Sequence, residues 1–463
     1  MLAWCVLLAG FAFAAPQLAA QTLTLGEVLA SSREHAPQVL EAMARVRSAE
    51  GRRLSADGAF DIVFRADSDV RLGGFYDGNS LGGTVTRPLQ SIGGEAYAGY
   101  SLSNGRFPVY EDEKYTNELG ELKVGVLFAL LRDRMIDDRR FAVGQADLDV
   151  ELARNEQLLV AIGVQRRAID AYGNWVTAGL RLQVLRDLLK LAEERQDGFR
   201  RQVERGLRPR ILLTENDQTV LRRQSLVIEA EQALLVAANR LSLFLRGPDG
   251  TPEVPGTSRL PTSLPPTPPV PEDTRLLAAG RPDLKAIDLR MEQARQRLAL
   301  ARNAFLPRLD VVLETSRDLG DPGIGGASRS GTEPKVGLRF SVPLERRTAR
   351  GQMAASEAEI DAQERRRQQL EEQIGVELET IQADIVATRR IAEVATAEQG
   401  RAAELSVAER RRFELGTSDL FVVQIREETE ANARIRALDA SWRALQARAE
   451  LAAVAADLEA LGL

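Results

Sequence analysis

Two kinds of hydrophobic pattern alternate along this chain, and the alternation occurs twice. Apolar residues recur at coiled-coil intervals in Leu152, Leu159, Ile162, Ile169 and Val176, and again in Ile374, Leu378, Ile381 and Ile385. This period predicts long helices from about Arg132 to Arg205, Arg210 to Leu245, Arg346 to Leu415 and Asp419 to Leu461. A helix of about 70 residues is about 105 Å long at 1.5 Å per residue, beyond any globular domain. The intervening positions are mostly Ala, Arg, Glu and Gln. A narrow apolar seam with a solvated remainder suits helices packed edge to edge around a wall better than helices around a thick core.

Before each pair of long helices lies a helix and then an extended region. The extended runs are Phe60 to Gly73, Glu95 to Asn104, Glu121 to Leu130, Leu309 to Ser316 and Lys335 to Val342, rich in Val, Phe, Tyr and Gly. The glycine pairs Gly73-Gly74 and Gly82-Gly83 and the stretch Gly320 to Gly326 are expected to be loops between strands.

Between Gly247 and Asp273 sit nine prolines, which mark an extended linker and divide the chain nearly in half. Four correspondences follow in the same order on either side. Pro37-Gln38-Val39 matches Pro282-Asp283-Leu284, each with proline in a first helical turn, where its missing N–H costs least. Gly58 to Ile62 matches Asn303 to Pro307, Lys123 to Phe128 matches Lys335 to Phe340, and Val203 to Gly206 matches Phe413 to Gly416. The offset falls from 245 for the first two pairs to 212 and 210 for the others, which indicates a duplication with about 33 extra residues in the first copy's strand region. The extra segment adds either strands or a surface loop. The expected organisation is a signal peptide at 1–20, a first repeat at 21–246 (strands about 60–130, helical hairpin about 132–246), a linker at 247–273 and a second repeat at 274–463 (strands about 305–343, helical hairpin about 346–461).

Composition narrows the partners. Lys and Arg total 61 against 67 Asp and Glu, and a net charge of -6 disfavours a nucleic-acid surface as the main partner. Met1 to Ala20 lacks charge and carries an apolar run, Val6 to Ala15, before Ala19-Ala20, the pattern of a secretory leader. Cys5, the single cysteine, lies inside it, so the exported chain has no disulfide, thiolate metal site or cysteine nucleophile. Beyond residue 20 no apolar stretch approaches the length of a spanning helix. If this protein crosses a membrane, it does so with strands.

The order of elements, the opening Leu23-Thr24-Leu25-Gly26-Glu27-Val28-Leu29, the junction Phe340-Ser341-Val342-Pro343-Leu344 and the turn Arg412 to Leu420 together resemble the TolC-type outer-membrane factor family, the exit ducts of tripartite drug efflux pumps and type I secretion systems. The first-copy junction, Leu130 to Asp137, lacks the proline. The resemblance implies a homotrimer in the outer membrane of a Gram-negative-type cell, each subunit giving four strands to a shared β-barrel and its helices to a periplasmic α-helical barrel. It also implies a periplasmic adaptor protein and an inner-membrane transporter as partners, with passive transport through the lumen. The turns Arg205-Gly206-Leu207-Arg208-Pro209 and Leu415-Gly416-Thr417-Ser418-Asp419 then become periplasmic tips that dock the adaptor and constrict the tube.

Some members of that family place aspartates about six residues past the tip glycine. Here those positions hold Leu212 and Val422, so the expected gate is apolar, with salt links from Arg205, Arg208 or Arg210, or with Asp419, Glu215 or Asp217 facing the lumen instead. Tyr76, Tyr97, Tyr100, Tyr110 and Tyr115 fall in the first strand region, as an interfacial aromatic girdle or ordinary strand propensity would both give.

No catalytic, metal or cofactor constellation emerges. His35 stands alone beside Glu34, the glycine stretches lack the lysine and helix of a phosphate loop, and Glu371-Glu372 and the arginine runs Arg365 to Arg367 and Arg410 to Arg412 lie on mixed-charge helical faces. No enzymatic activity is expected. The competing expectation is a periplasmic coiled-coil adaptor or scaffold, which would show one helical hairpin rather than two.

Overall fold

The computed structural model describes residues 22–265, 274–322 and 331–463. The leader expected at 1–20 with Cys5, the prolines from Pro266 to Pro271, and Gly323, Gly325 and Gly326 lie outside the described residues. The first half runs α1 (Leu25–His35), α2 (Pro37–Asp57), β1 (Val63–Asp69), β2 (Asn79–Leu89), β3 (Gly94–Asn104), β4 (Glu121–Ala129), α3 (Asp138–Glu204) and α4 (Arg210–Leu241). The second runs α5 (Thr274–Ala279), α6 (Pro282–Ala304), β5 (Arg308–Asp318), β6 (Thr332–Ser341), α7 (Arg347–Glu414) and α8 (Leu420–Ala455). Both halves therefore go from a short helix and a helix opened by proline through strands into two long helices.

Contacts divide the chain into two units that cut across the halves: Met1–Leu40, Val160–Ala278 and Val376–Leu463 form one, and Glu41–Leu159 with Ala279–Gly375 form the other.

The second of these units contains one antiparallel sheet in the order β1-β2-β3-β4-β5-β6. Among the described residues six strands stand where the resemblance implied four. By the sequence correspondences β1 matches β5 and β4 matches β6, so the extra segment is the β2–β3 hairpin. The expected loop at Gly82-Gly83 is corrected accordingly: both glycines lie within β2, paired to Asp67 and Ala66 on one side and to Ser101 and Tyr100 on the other. A Cβ on Gly83 would come 3.3 Å from the Phe64 ring, and one on Gly82 3.3 Å from the Asp67 carboxylate, so these positions give up side chains to neighbours that overlie them. Pro88, also in β2, pairs with Glu95 of β3 but lies beyond the end of β1, where no ladder needs its missing N–H.

At the strand-to-helix junctions the two halves repeat an unusual device. Asp133 and Arg346 both adopt left-handed backbone, with φ of 70° and 51°. The first is held by a reciprocal pair, its N–H donating to Asn303 Oδ1 at 2.9 Å while Asn303 Nδ2 donates to Asp133 Oδ1 at 2.9 Å. This bend is why α3 begins at Asp138 rather than near Arg132. Asp137 then accepts the Arg140 N–H at 2.9 Å, the N-cap interaction that starts the helix. At the other end of the chain a left-handed Ala456, φ 54°, stops α8 six residues before the expected Leu461.

In the first unit α3 and α8 meet on small residues and tryptophan. A Cβ on Gly173 would fall 2.0 Å from the Trp442 ring, and the indole N–H donates to Asn174 Oδ1 at 3.0 Å. Buried alanines at 431, 433, 437, 440, 447, 449, 452 and 455 leave α8 a thin apolar face, in keeping with the narrow seam of the sequence. The described part of the proline-rich segment lies on this unit: Leu23 N–H donates to Arg259 O at 2.8 Å, and Leu260 covers Gly179.

Candidate functional site

The sheet has two chemically distinct faces, fixed by the period-2 alternation of side chains and by register. One face carries Arg65, Asp67, Asp69, Thr84, Thr86, Glu95, Tyr97, Glu121, Lys123, Asp310, Glu314, Asp318, Glu333, Lys335 and Arg339. The opposite face carries Phe64, Leu81, Val85, Ala96, Ala98, Tyr100, Leu102, Leu122, Val124, Val126, Phe128, Leu309, Val311, Leu313, Val336, Leu338 and Phe340, with Arg87 and Arg317 as its charged members. Among the described residues nothing covers that apolar face: Phe64 is 68% exposed, Val336 72%, Leu338 70% and Phe340 66%. Among the described residues no helix is long and apolar enough to cross a membrane.

Strands β2, β3 and β5 have 11 residues each. At about 3.4 Å per residue and the tilt of about 45° usual for membrane strands, such a strand covers about 26 Å of depth, the height of an outer-membrane apolar band.

The five tyrosines separate by position. Tyr100 lies on the apolar face near its end and donates to Leu119 O at 2.6 Å. Tyr97 lies on the polar face, hydrogen-bonded through its hydroxyl to Glu314, with its ring over Gly125, apart from the apolar face. Tyr76, Tyr110 and Tyr115 occupy the β1–β2 and β3–β4 connections, remote from the helix junctions. Tyr76 meets Phe75 edge to face at 5.0 Å, Tyr110 is 83% exposed, and the Tyr115 hydroxyl donates to Phe107 O at 3.2 Å and accepts the Phe107 N–H at 2.8 Å.

In the other unit the turns at Gly206 and Gly416 share one geometry. Gly206 has φ 71° and donates to Val203 O at 2.9 Å, while Leu207 N–H reaches Gln202 O at 2.9 Å. Gly416 has φ 75° and donates to Phe413 O at 3.0 Å, while Thr417 N–H reaches Arg412 O at 2.9 Å. Both are Schellman motifs, in which a left-handed glycine returns the chain and satisfies the last helical carbonyls. The second turn is tied further: Asp419 caps α8 by accepting the Val422 N–H at 2.9 Å, and Ser418 bonds Glu409. Pro209, at the same place in the first turn, offers α4 no side-chain cap.

Phe199 and Phe413 meet edge to face at 6.3 Å, and the Arg208 guanidinium lies 5.8 Å from the centre of the Phe413 ring, so the two turns sit side by side. Leu207 and Leu415 are 69% and 71% exposed, whereas Leu212 and Val422 are half-buried. Among the described residues of the single chain, Arg205, Arg208 and Arg210 form no ion pair. Asp419 is engaged as a cap, Asp217 accepts from Gln196 Nε2 at 3.3 Å, and Glu215 is exposed.

Inward of the turns lies an ion cluster that sequence reasoning missed. Glu427 on α8 and Arg223 on α4 are each 1% exposed and pair at 3.0 Å. Arg195 on α3 binds the other carboxylate oxygen, and Arg223 Nη1 donates to Leu188 O at 2.7 Å. Burial pulls the Arg223 guanidinium below its ordinary pKa, and the Glu427 carboxylate opposes that shift. The sequence signal was weak, since one Glu and two Arg among dozens look like surface charges until three helices converge on them.

Residues 274–457 match the outer membrane efflux protein family. No curated protein matches the sequence. Several solved structures share the fold. The outer membrane protein VceC of Vibrio cholerae is 14% identical with a TM-score of 0.61, the match covering 93% of this chain and 95% of that one. The CmeC outer membrane channel of Campylobacter jejuni is 12% identical with a TM-score of 0.62, covering 98% and 93%. The MtrE outer membrane channel of Neisseria gonorrhoeae, in its open state, is 14% identical with a TM-score of 0.59, covering 93% and 88%. Residues 274–457 of this chain thus match the outer membrane efflux protein family, and along nearly its whole length the chain has the fold of those outer-membrane channels.

Proposed function

We propose that the chain is one subunit of a homotrimeric duct, seated in the outer membrane by its strands, that serves as the exit of a tripartite efflux pump or type I secretion system. The observation that carries this reading is the uncovered apolar face of the sheet opposite a face dense with charge. Apolar side chains of that size, left in water along six strands, forgo about 1.5–3 kcal/mol each, which lipid restores. The polar face then lines a water-filled lumen, through which substrate diffuses while an inner-membrane transporter supplies the energy.

Oligomer formation has support in the helices. Leu221, Ile228 and Leu235 of α4, 61%, 65% and 60% exposed, recur every seven residues, the seam of a coiled coil awaiting another helix. The turns Arg205 to Pro209 and Leu415 to Asp419 are the proposed docking ends for a periplasmic adaptor, with Leu212 and Val422 as the gate between them. Tyr76, Tyr100, Tyr110 and Tyr115 are the proposed contacts with the outer membrane interface.

Membrane fractionation with bilayer recording tests the reading. A duct stays with the outer membrane through a high-salt wash and gives channels when reconstituted. Release by salt, or location at the inner membrane, would instead fit a periplasmic adaptor.

A further inference from the structure

Among the described residues the sheet ends in two open edges, β1 and β6. On the proposed membrane setting neither edge can stay open, because unpaired N–H and C=O groups in hydrocarbon cost several kcal/mol each. Nor can six strands close on themselves, since a barrel needs about eight. We infer that the β1 edge of one copy pairs with the β6 edge of the next, so that all six strands of each subunit enter the wall and three copies build an eighteen-strand barrel. This rests on the trimeric duct reading and goes beyond it, because the resemblance alone implied four strands per subunit.

Three observations support the seam. First, direction: β1 leaves a helix junction and β6 returns to one, and with an even number of strands between them the two edges meet antiparallel, as every other pair in the sheet does. Second, face matching: a seam that keeps charged residues together sets Arg65, Asp67 and Asp69 of β1 against Lys335, Gly337, Arg339 and Ser341 of β6, acid against base. Third, register: placing Asp67 opposite Arg339 puts Arg65 opposite Ser341 and Asp69 opposite Gly337, with no like charges opposed. Setting Asp67 against Lys335 instead brings Asp69 onto Glu333, and the register between them brings Arg65 onto Arg339. In the favoured register the other face aligns Ala66 with Phe340 and Ser68 with Leu338, which continues the apolar band, and Pro334 falls beyond the end of β1.

The consequence is a wider pore. At about 4.8 Å between strands and about 45° tilt, eighteen strands give a backbone radius of about 19 Å, against about 13 Å for twelve. Polar side chains from the β2–β3 hairpin, Thr84, Thr86, Glu95 and Tyr97, would then line the lumen.

Disulfide trapping tests the seam, on a full-length chain whose native cysteine, Cys5, is replaced by serine. Asp67→Cys is combined in turn with Lys335→Cys, Gly337→Cys and Arg339→Cys, and the products are read by non-reducing gels beside native mass spectrometry in detergent. The expected result is a covalent ladder ending at three subunits from at least one pair, strongest with Arg339→Cys, in a protein whose native mass is that of a trimer. The rival arrangement, in which β1 and β2 peel away and β3 meets β6 of the next copy, is probed with Ser101→Cys and Lys335→Cys. A ladder from that pair, or none from any Asp67 pair in an intact trimer, overturns the eighteen-strand barrel while leaving the duct standing. A covalent ladder ending at two subunits, with a native mass to match, also overturns it by giving twelve strands. A monomer extractable with salt overturns both.

Discussion

Replacing Glu427 with glutamine should loosen the helices near the turns at Gly206 and Gly416. The carboxylate is 1% exposed and holds two guanidiniums, Arg223 at 3.0 Å and Arg195. Neither arginine is otherwise fully satisfied: among the described residues, Arg223 Nε and Arg195 Nη1 are buried without partners. Removing one member of a buried ion pair costs about 3–5 kcal/mol, because the remaining charge is stranded away from water. Glutamine keeps one acceptor, which places the expected loss near about 3 kcal/mol. If opening of this region is local, its amides should exchange about 150-fold faster, since each 1.4 kcal/mol is a factor of ten.

Hydrogen exchange read by mass spectrometry on peptides covering 188–195, 219–227 and 423–430 measures this directly, with the sheet peptides as an internal control. The reasoning also predicts an asymmetry. Arg223→Met leaves Glu427 paired to Arg195 and should cost less than Glu427→Gln. The double variant Arg223→Met/Glu427→Leu should cost less than the sum of its single variants, because it strands only Arg195, whose side chain reaches solvent at 12% exposure. Less than a tenfold exchange increase for Glu427→Gln, or strict additivity in the cycle, would refute the view that this cluster ties α3, α4 and α8 together.

Other outcomes follow from the same geometry. Gly206→Ala and Gly416→Ala meet no steric obstacle but must hold φ of 71° and 75°, so each should destabilise its turn by about 1 kcal/mol in thermal melts, and an absence of any shift would contradict the left-handed assignment. Asp419→Ala removes the α8 cap and should cost about 1 kcal/mol, whereas Pro209→Ala, which loses no cap hydrogen bond, should cost less by the same melts. Leu338→Lys, on the apolar face, should destabilise the folded sheet by about 2–4 kcal/mol in urea titrations from liposomes, while Thr86→Lys on the polar face should be tolerated; equal effects would argue against the face assignment. If Leu212 and Val422 form the proposed gate, Leu212→Asp and Val422→Asp should raise resting conductance and cation preference in planar bilayers, and unchanged recordings would overturn that proposal.

Much of the architecture was legible because it is carried by period and order. The coiled-coil spacing of Leu152 to Val176 and of Ile374 to Ile385 survives as α3 and α7, and the two glycines were readable because only a residue without Cβ ends a helix in left-handed backbone at low cost. Helix starts were less legible. The left-handed turn at Asp133 depends on Asn303, which is distant in sequence. Strand β2 was hidden for a related reason: Gly82, Gly83 and Pro88 argue locally for a loop, and only pairing on both sides overrides them.

The sequence by itself determined that the chain is a duplicated set of strands and very long helices, with turns at Gly206 and Gly416 and an extra segment in the first copy, because these depend on local period and on the backbone freedom of single residues. Tertiary structure alone decided that the extra segment is a strand hairpin inside one six-stranded sheet, that Tyr97 belongs with Glu314 on the polar face, and that Glu427 is a buried hub for Arg223 and Arg195. Register and helix convergence set which side chains share a face or lose their water, and both arise from pairings between segments dozens to hundreds of residues apart.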